Sequence, residues 1–185
     1  MQDLDDQLFA KVKLGDVSSY EVIFRKYYQG LTRYAISIVR DPTIGEEISQ
    51  EVLMYIWEKR HQINVTSTLK AYLFSSIKNK CINYIKIELP KLQSTTDLSG
   101  ISSMGETSMT ADNAELIKKK IQHAIDQLPE KCRNIFVLSR YGGLTYNEIA
   151  EELEISVKTV ENQMSIALKK LKESLSEELK EYRIK

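Results

Sequence analysis

Few residues in this 185-residue chain are placed to do covalent chemistry. The two cysteines, Cys81 and Cys132, do not form a CxxC pair, and two thiols alone cannot build a cysteine-only metal site. The two histidines, His61 and His123, stand far apart with no ligand-spaced neighbour. Phosphate-cradling glycine loops, HExxH and GxSxG are absent from the sequence. The expectation is two packed thiols, two surface imidazoles, and no catalytic, cofactor-binding or metal-binding residue. What the spacing supports is recognition chemistry. Residues 144–160 have the spacing of a helix-turn-helix. Small Ala150 lets two helices cross closely, and Ile149, Leu153, Ile155 and Val160 supply a core between them. Ser156 starts the second helix, which then presents Val157, Lys158, Thr159, Glu161 and Asn162 from its N-terminal end. In such a motif the first turns of the second helix enter the major groove. Two ordinary packed helices are the competing reading, but the coincidence of small residue, apolar set, cap and polar front favours DNA.

The elements that must position this front are helical throughout. Tyr20, Ile23, Phe24, Tyr27, Leu31, Tyr34, Ala35 and Ile38 make a 3.6-residue stripe, capped by Ser18 or Ser19 and ended at Asp41-Pro42. A short acidic helix precedes it, from about Asp3 to Lys13, and ends at Gly15. The spacing predicts further helices from Thr43 to His61 and from Ser67, a good cap, to Leu89 before Pro90. Residues 92–113 hold 5 Ser, 4 Thr and 2 Gly with no sustained period, which reads as a flexible tether. As a random coil it would reach about 25 Å root-mean-square. Beyond it, apolar positions from Leu116 to Leu128 stop at Pro129, and a helix from Glu130 to Tyr141 stops at Gly142-Gly143. Thr145 with Glu148 forms a capping box for a helix through Leu153, and the last helix runs from Ser156 to about Leu179.

Composition argues more weakly. Lys+Arg and Asp+Glu are 26 each, so the net charge of zero alone argues against nucleic-acid binding. That zero averages opposed segments: residues 66–91 carry +4 and residues 156–172 carry +3, while residues 41–58 carry −5. Met1-Gln2-Asp3-Leu4-Asp5-Asp6 has no signal-peptide pattern, and the longest aliphatic and aromatic run, Ile135 to Leu138, is too short to span a bilayer. A cytoplasmic protein is expected.

Leu128-Pro129 with Arg133 and Phe136, then Gly143-Leu144-Thr145-Tyr146, Glu148-Ile149-Ala150 and Ser156-Val157-Lys158-Thr159-Val160, resemble the C-terminal domain of extracytoplasmic-function (ECF) sigma factors. These belong to the sigma-70 family of bacterial promoter-recognition subunits. Glu46-Glu47-Ile48-Ser49-Gln50-Glu51-Val52 with Tyr55-Ile56-Trp57 resembles that family's polymerase-binding helix, and Tyr72-Leu73-Phe74 with Asn79 its promoter-reading segment. The resemblance implies an all-α fold of two small helical domains, an N-terminal bundle over 1–91 and a helix-turn-helix domain over 114–185, joined by the linker over 92–113. It assigns Ser156, Val157, Lys158, Thr159, Glu161 and Asn162 to the −35 element. It assigns Lys70, Tyr72, Lys78, Asn79, Lys80, Asn83, Tyr84 and Lys86 to the −10 element. Glu47, Gln50, Glu51 and Met54, at i, i+3, i+4 and i+7, form one helix face for core polymerase. Implied partners are core RNA polymerase, promoter DNA and an anti-sigma factor, without direct membrane insertion. Ten tyrosines resemble the Bacteroidetes-type branch. Two departures stand out: Glu154 where the family often has a turn glycine, and Asn83-Tyr84-Ile85-Lys86 in place of an Asp- and Arg-containing pattern. A stand-alone helix-turn-helix regulator with an N-terminal sensing domain is the alternative; it would bind promoter DNA yet never support initiation with core polymerase.

Overall fold

A computed structural model describes residues 4–65, 68–91 and 113–180. The expected tether, except Asn113, lies outside the described residues, as does Ser67. The described residues are all-α, in two helical groups.

In the first group α1 (Leu4–Lys13) places Phe9 and Val12 in the core. The chain turns at Gly15, with φ +90°, and Asp16 caps α2 (Val17–Val39) by accepting from Ser19 N. The cap expected at Ser18 or Ser19 therefore belongs to Asp16. The apolar stripe begins only at Tyr20, one turn into the helix, because Val17 is exposed and Ser18 faces outward. Ile23, Tyr27, Leu31, Tyr34 and Ala35 are buried as the period requires. Arg40 takes a left-handed conformation, and Asp41 caps α3 (Pro42–Glu58) with Pro42 in its first turn, where a missing N–H costs nothing. Thus one Asp-Pro pair ends α2 and starts α3, which stops at Glu58 rather than His61.

Thr68 caps α4 (Leu69–Asn83), accepting from Ala71 N at 3.1 Å. The chain then makes a π turn over Tyr84–Glu88 and stays helical to Lys91. The expected stop before Pro90 does not occur. The π turn shifts the hydrogen-bond ladder just ahead of the residue whose ring removes an N–H.

The second group holds α5 (Asn113–Asp126), α6 (Glu130–Arg140), α7 (Tyr146–Leu153) and α8 (Val157–Lys180). Its buried residues include Ile125, Leu128, Ile135, Leu138, Ile149, Val160 and Met164. α2 packs on α6 and α4 on α7, so the buried side chains of both groups form one continuous cluster.

Candidate nucleic-acid interface

The helix-turn-helix is assembled from local bonds. Thr145 Oγ1 accepts from Glu148 N, and Glu148 Oε2 accepts from Thr145 N at 2.7 Å, completing the capping box. Ile149 and Val160 are fully buried between α7 and α8, Ala150 nearly so, and Leu153 and Ile155 are half-buried. The turn is carried by Glu154 at φ 55°, ψ 43°, its N–H reaching Ala150 O and Glu151 O. The departure from glycine thus keeps the left-handed turn and places an L-residue in it. Ser156 Oγ accepts from Thr159 N at 3.1 Å, so Ser156 caps α8 as its sequence position suggests.

The front of α8 is open. Ser156, Val157, Lys158, Glu161 and Asn162 are exposed, and Thr159 is half-buried with its hydroxyl against that of Ser156 at 2.8 Å. Lys158 reaches Glu161 at 3.1 Å on the same helix, but both are well exposed, and such pairs are weak. Phosphate oxygens or base edges can displace Glu161 there.

The eight residues from Lys70 to Lys86, six on α4 and two in the π turn, divide. Asn79, Lys80, Asn83 and Lys86 are exposed, and positions 79, 83 and 86 share one helix stripe. Tyr72 and Tyr84 are half-buried. Burial is the main cause that raises both phenol pKa values; the nearby Tyr55 adds for Tyr72, and Asp41, Glu88 and Glu47 add for Tyr84. Phe74 is wholly buried, as two residues on a helix must face different ways. Lys70 and Lys78 point instead at the second group. Lys70 Nζ lies 2.8 Å from Glu148 Oε1 and donates to Gly143 O at 3.2 Å. Lys78 Nζ lies 3.0 Å from Glu152 Oε1 and also donates to Glu152 O. Burial opposes the charge of Glu148, yet the Lys70 ammonium and the Thr145 N–H and hydroxyl outweigh it and hold the carboxyl below its usual range.

Sequence reasoning missed Glu148 and Glu152 as partners of these lysines. It also missed Ile82, Ile85 and Ile87, exposed beside Asn83 and Lys86. Their signal was the break in apolar period after Cys81.

On α3, Glu47, Gln50, Glu51 and Met54 are all exposed on one face. Gln50 Nε2 donates to Tyr28 OH at 3.4 Å, and Glu51 meets Lys80 at 2.8 Å, joining this face to α4. Trp57 is half-buried between Tyr20, at 5.1 Å, and the Arg60 guanidinium, at 4.5 Å.

Both thiols are buried, and burial pushes Cys81 up to about 12 and raises Cys132, so neither is a nucleophile. His61 and His123 are exposed. Among the described residues no three His, Cys, Asp or Glu gather to hold a metal, and no helix is long and apolar enough to cross a membrane.

Comparison with known proteins bears on both groups. The family profile Sigma-70 region 2 matches residues 23–87, and Sigma-70, region 4 matches residues 118–171. The chain is 28% identical over 149 residues to the ECF RNA polymerase sigma factor SigL of Mycobacterium tuberculosis (strain ATCC 25618 / H37Rv), covering 80% of this chain and 83% of that protein. It is 20% identical over 173 residues to ECF RNA polymerase sigma factor SigK of Mycobacterium sp. (strain JLS), covering 92% and 90%. Among solved structures, CnrH in complex with the cytosolic domain of CnrY matches with a TM-score of 0.63 at 20% identity, over 94% of this chain and 98% of that one. The sigma factor RpoE in complex with the anti-sigma factor NepR from Bartonella quintana matches with a TM-score of 0.62 at 20% identity, over 85% and 96%.

Proposed function

We infer that this chain, an ECF sigma factor carrying sigma-70 regions 2 and 4, directs promoter-specific initiation by RNA polymerase. The observation that carries this reading is the tandem itself: a region-2 match followed by a region-4 match whose helix-turn-helix has an open polar front. It performs no catalysis of its own. Its work is to position polymerase and to favour an opened start region.

In this reading α8 reads the −35 element through Val157, Lys158, Thr159 and Asn162, with Ser156 and Glu161 bordering the contact. Side chains of these types can meet base edges or phosphates. The α4 face reads the −10 element: Lys70, Lys78, Lys80 and Lys86 meet phosphates, and Asn79 and Asn83 reach bases. Tyr72 and Tyr84 offer rings on which unstacked bases stack. The acidic α3 face of Glu47, Gln50, Glu51 and Met54 docks on a basic helical surface of core polymerase by charge complementarity. A sequence-distant linker over 92–113 lets domains 1–91 and 114–185 sit on separate promoter elements. An anti-sigma factor is the expected regulator, as one structural neighbour is the sigma factor RpoE in complex with the anti-sigma factor NepR. The ten tyrosines support a Bacteroidetes-type chain, and a role on RNA polymerase implies that the protein works in the cytoplasm.

Run-off transcription with core polymerase on a template bearing both elements tests the reading. Initiation that depends on added protein supports it. Tight promoter binding by the free protein with no initiation in the presence of core would instead fit a stand-alone regulator. Glu51→Lys reverses one charge of the docking face and is expected to weaken core binding about tenfold or more, with promoter contacts intact. Co-purification with core reads that loss directly.

A further inference from the structure

Between Ser156 and Ser165 the front of α8 holds one acid, Glu161, and one base, Lys158. Val160, Met164, Ala167 and Leu171 are buried, so the helical period turns Val157, Lys158, Glu161, Asn162 and Ser165 outward, and all five are exposed. Neither charge is needed to build the motif. The cap is Ser156 on Thr159 N, the turn is Glu154, and the residues buried between α7 and α8 are apolar. The Glu161 side chain is 46% exposed, and its Oε2 accepts from Lys158 Nζ at 3.1 Å. Its Oε1 holds no hydrogen bond among the described residues, so it stays open to a donor. An exposed pair of this kind adds little to a helix. It does change what the front can bind. A carboxylate only accepts hydrogen bonds, and phosphates repel it, so in a DNA groove it is unfavourable unless an amino group meets it.

The bases differ in what they offer such a group. In the major groove guanine presents acceptors only, and thymine an acceptor and a methyl group. Adenine presents an acceptor beside a donor, and cytosine the donor N4 amino group. We propose that Glu161 is the specificity-determining residue of the α8 surface: its carboxylate accepts from the N4 amino group of a cytosine in the −35 element, and until it does so it neutralises Lys158. The proposal rests on the reading that α8 enters the groove of that element. At the matching site the cytosine amine takes the place of Lys158 on Glu161. The released ammonium then meets a phosphate or the O6 and N7 acceptors of a guanine. At a site with guanine or thymine in that place, the carboxylate faces another acceptor and keeps its lysine. One exchange of partners thus ties the availability of the lysine to the identity of a base, and rejection comes from repulsion as much as from lost attraction.

The test transcribes a promoter library randomised across the −35 element, using holoenzyme assembled from core polymerase and the full chain. The wild type is expected to enrich cytosine at one position, and thymine there should lower initiation about tenfold or more. Glu161→Gln should move the preference at that position to adenine, whose N6 and N7 a glutamine side chain meets together, and Glu161→Ala should flatten it. Other positions should keep their preferences. Binding of the free chain to a duplex of unrelated sequence gives the second readout. There Glu161→Gln is expected to steepen the fall of log K with log salt by about 0.9, as Lys158 neutralises one further phosphate. An unchanged base profile in both variants overturns the proposal, as does an unchanged salt slope. Preferences weakened at every position alike, with a lower melting temperature, would make Glu161 a helix-stabilising residue and overturn it too. Absence of initiation by the wild-type holoenzyme from every member of the library overturns the sigma reading itself.

Discussion

Two helices of this protein carry the lysines proposed to meet promoter DNA, and they present them differently. The Lys158 side chain at the front of α8 is 77% exposed, and it pairs with Glu161 three residues on. The Lys70 and Lys78 side chains on α4 are 20% and 24% exposed, and their glutamate partners lie 78 and 74 residues away. Glu152 itself keeps only 7% of its side chain accessible. An exposed pair within one helix contributes little and exchanges freely with solvent. A half-buried pair between two packed groups is held by everything around it. The surface proposed for the −35 element is therefore open as it stands, being built from α7, α8 and their caps alone. The surface proposed for the −10 element has two of its lysines engaged by the other half of the molecule.

The largest expected effect falls on the open surface. Lys158→Glu puts a negative charge at the groove entrance and is expected to reduce initiation at −35-dependent promoters about tenfold to hundredfold, the range for loss of a base or phosphate contact of about 1–3 kcal/mol. Core binding should not change. Lys78→Glu makes the matching cut on the covered surface, with a smaller loss in overall initiation because Lys80 and Lys86 remain outside. Paired run-off assays on promoters with and without a −35 element separate the two. Equal losses from both variants on both promoters would erase the distinction drawn between the surfaces.

The difference in construction also governed what could be read from the chain. The Thr145–Glu148 capping box, the Ser156 cap and the Asp41-Pro42 boundary were all legible, because each is set by neighbours within one or two turns. The cap of α2 was misplaced because the stripe at Tyr20 starts a turn later than the helix. The run of α4 past Pro90 was missed because a π turn has no simple apolar period. The docking of the two groups was not legible at all. Arg33 meets Gln122 and Ser37 meets Asn134 across 89 and 97 residues, and no local spacing encodes such a meeting. Mid-helix Gly30, where a Cβ would meet Tyr141 O at 2.6 Å, was its one trace in the sequence, and a glycine alone does not name its partner.

A smaller effect is expected from acid, and it acts on the covered surface only. The folded-state pKa of Glu148 is depressed, so the stability it contributes is fully present above its ordinary value of 4.5 and is lost as pH falls through the folded value. Glu148→Gln keeps a capping-box side chain while removing the charge that Lys70 meets. Its melting temperature should lie below wild type at pH 6 to 7 and converge with it as pH falls through the depressed folded value and the wild-type carboxyl is protonated too. A gap between Glu148→Gln and wild type that stays constant from neutral to acid pH would assign the loss to packing rather than to charge.

The smallest effect tests how far the α8 surface is self-contained. Glu154 holds the α7–α8 turn at φ 55°, and a left-handed L-residue costs about 1–2 kcal/mol that glycine avoids. Glycine loses about 0.5–1 kcal/mol through the greater freedom of the unfolded chain. Glu154→Gly is therefore expected to stabilise the protein by about 0.5–1 kcal/mol, read as a higher denaturation midpoint at unchanged slope. Because the substitution also deletes a negative charge near the groove, Glu154→Gln serves as its partner: it removes the charge and keeps the backbone cost. A stability gain confined to glycine, with −35 binding shifted alike in both variants, would divide backbone from charge. Loss of stability in Glu154→Gly would mean that the glutamate side chain supports the turn, and that the front of α8 owes its position to more than its caps and core.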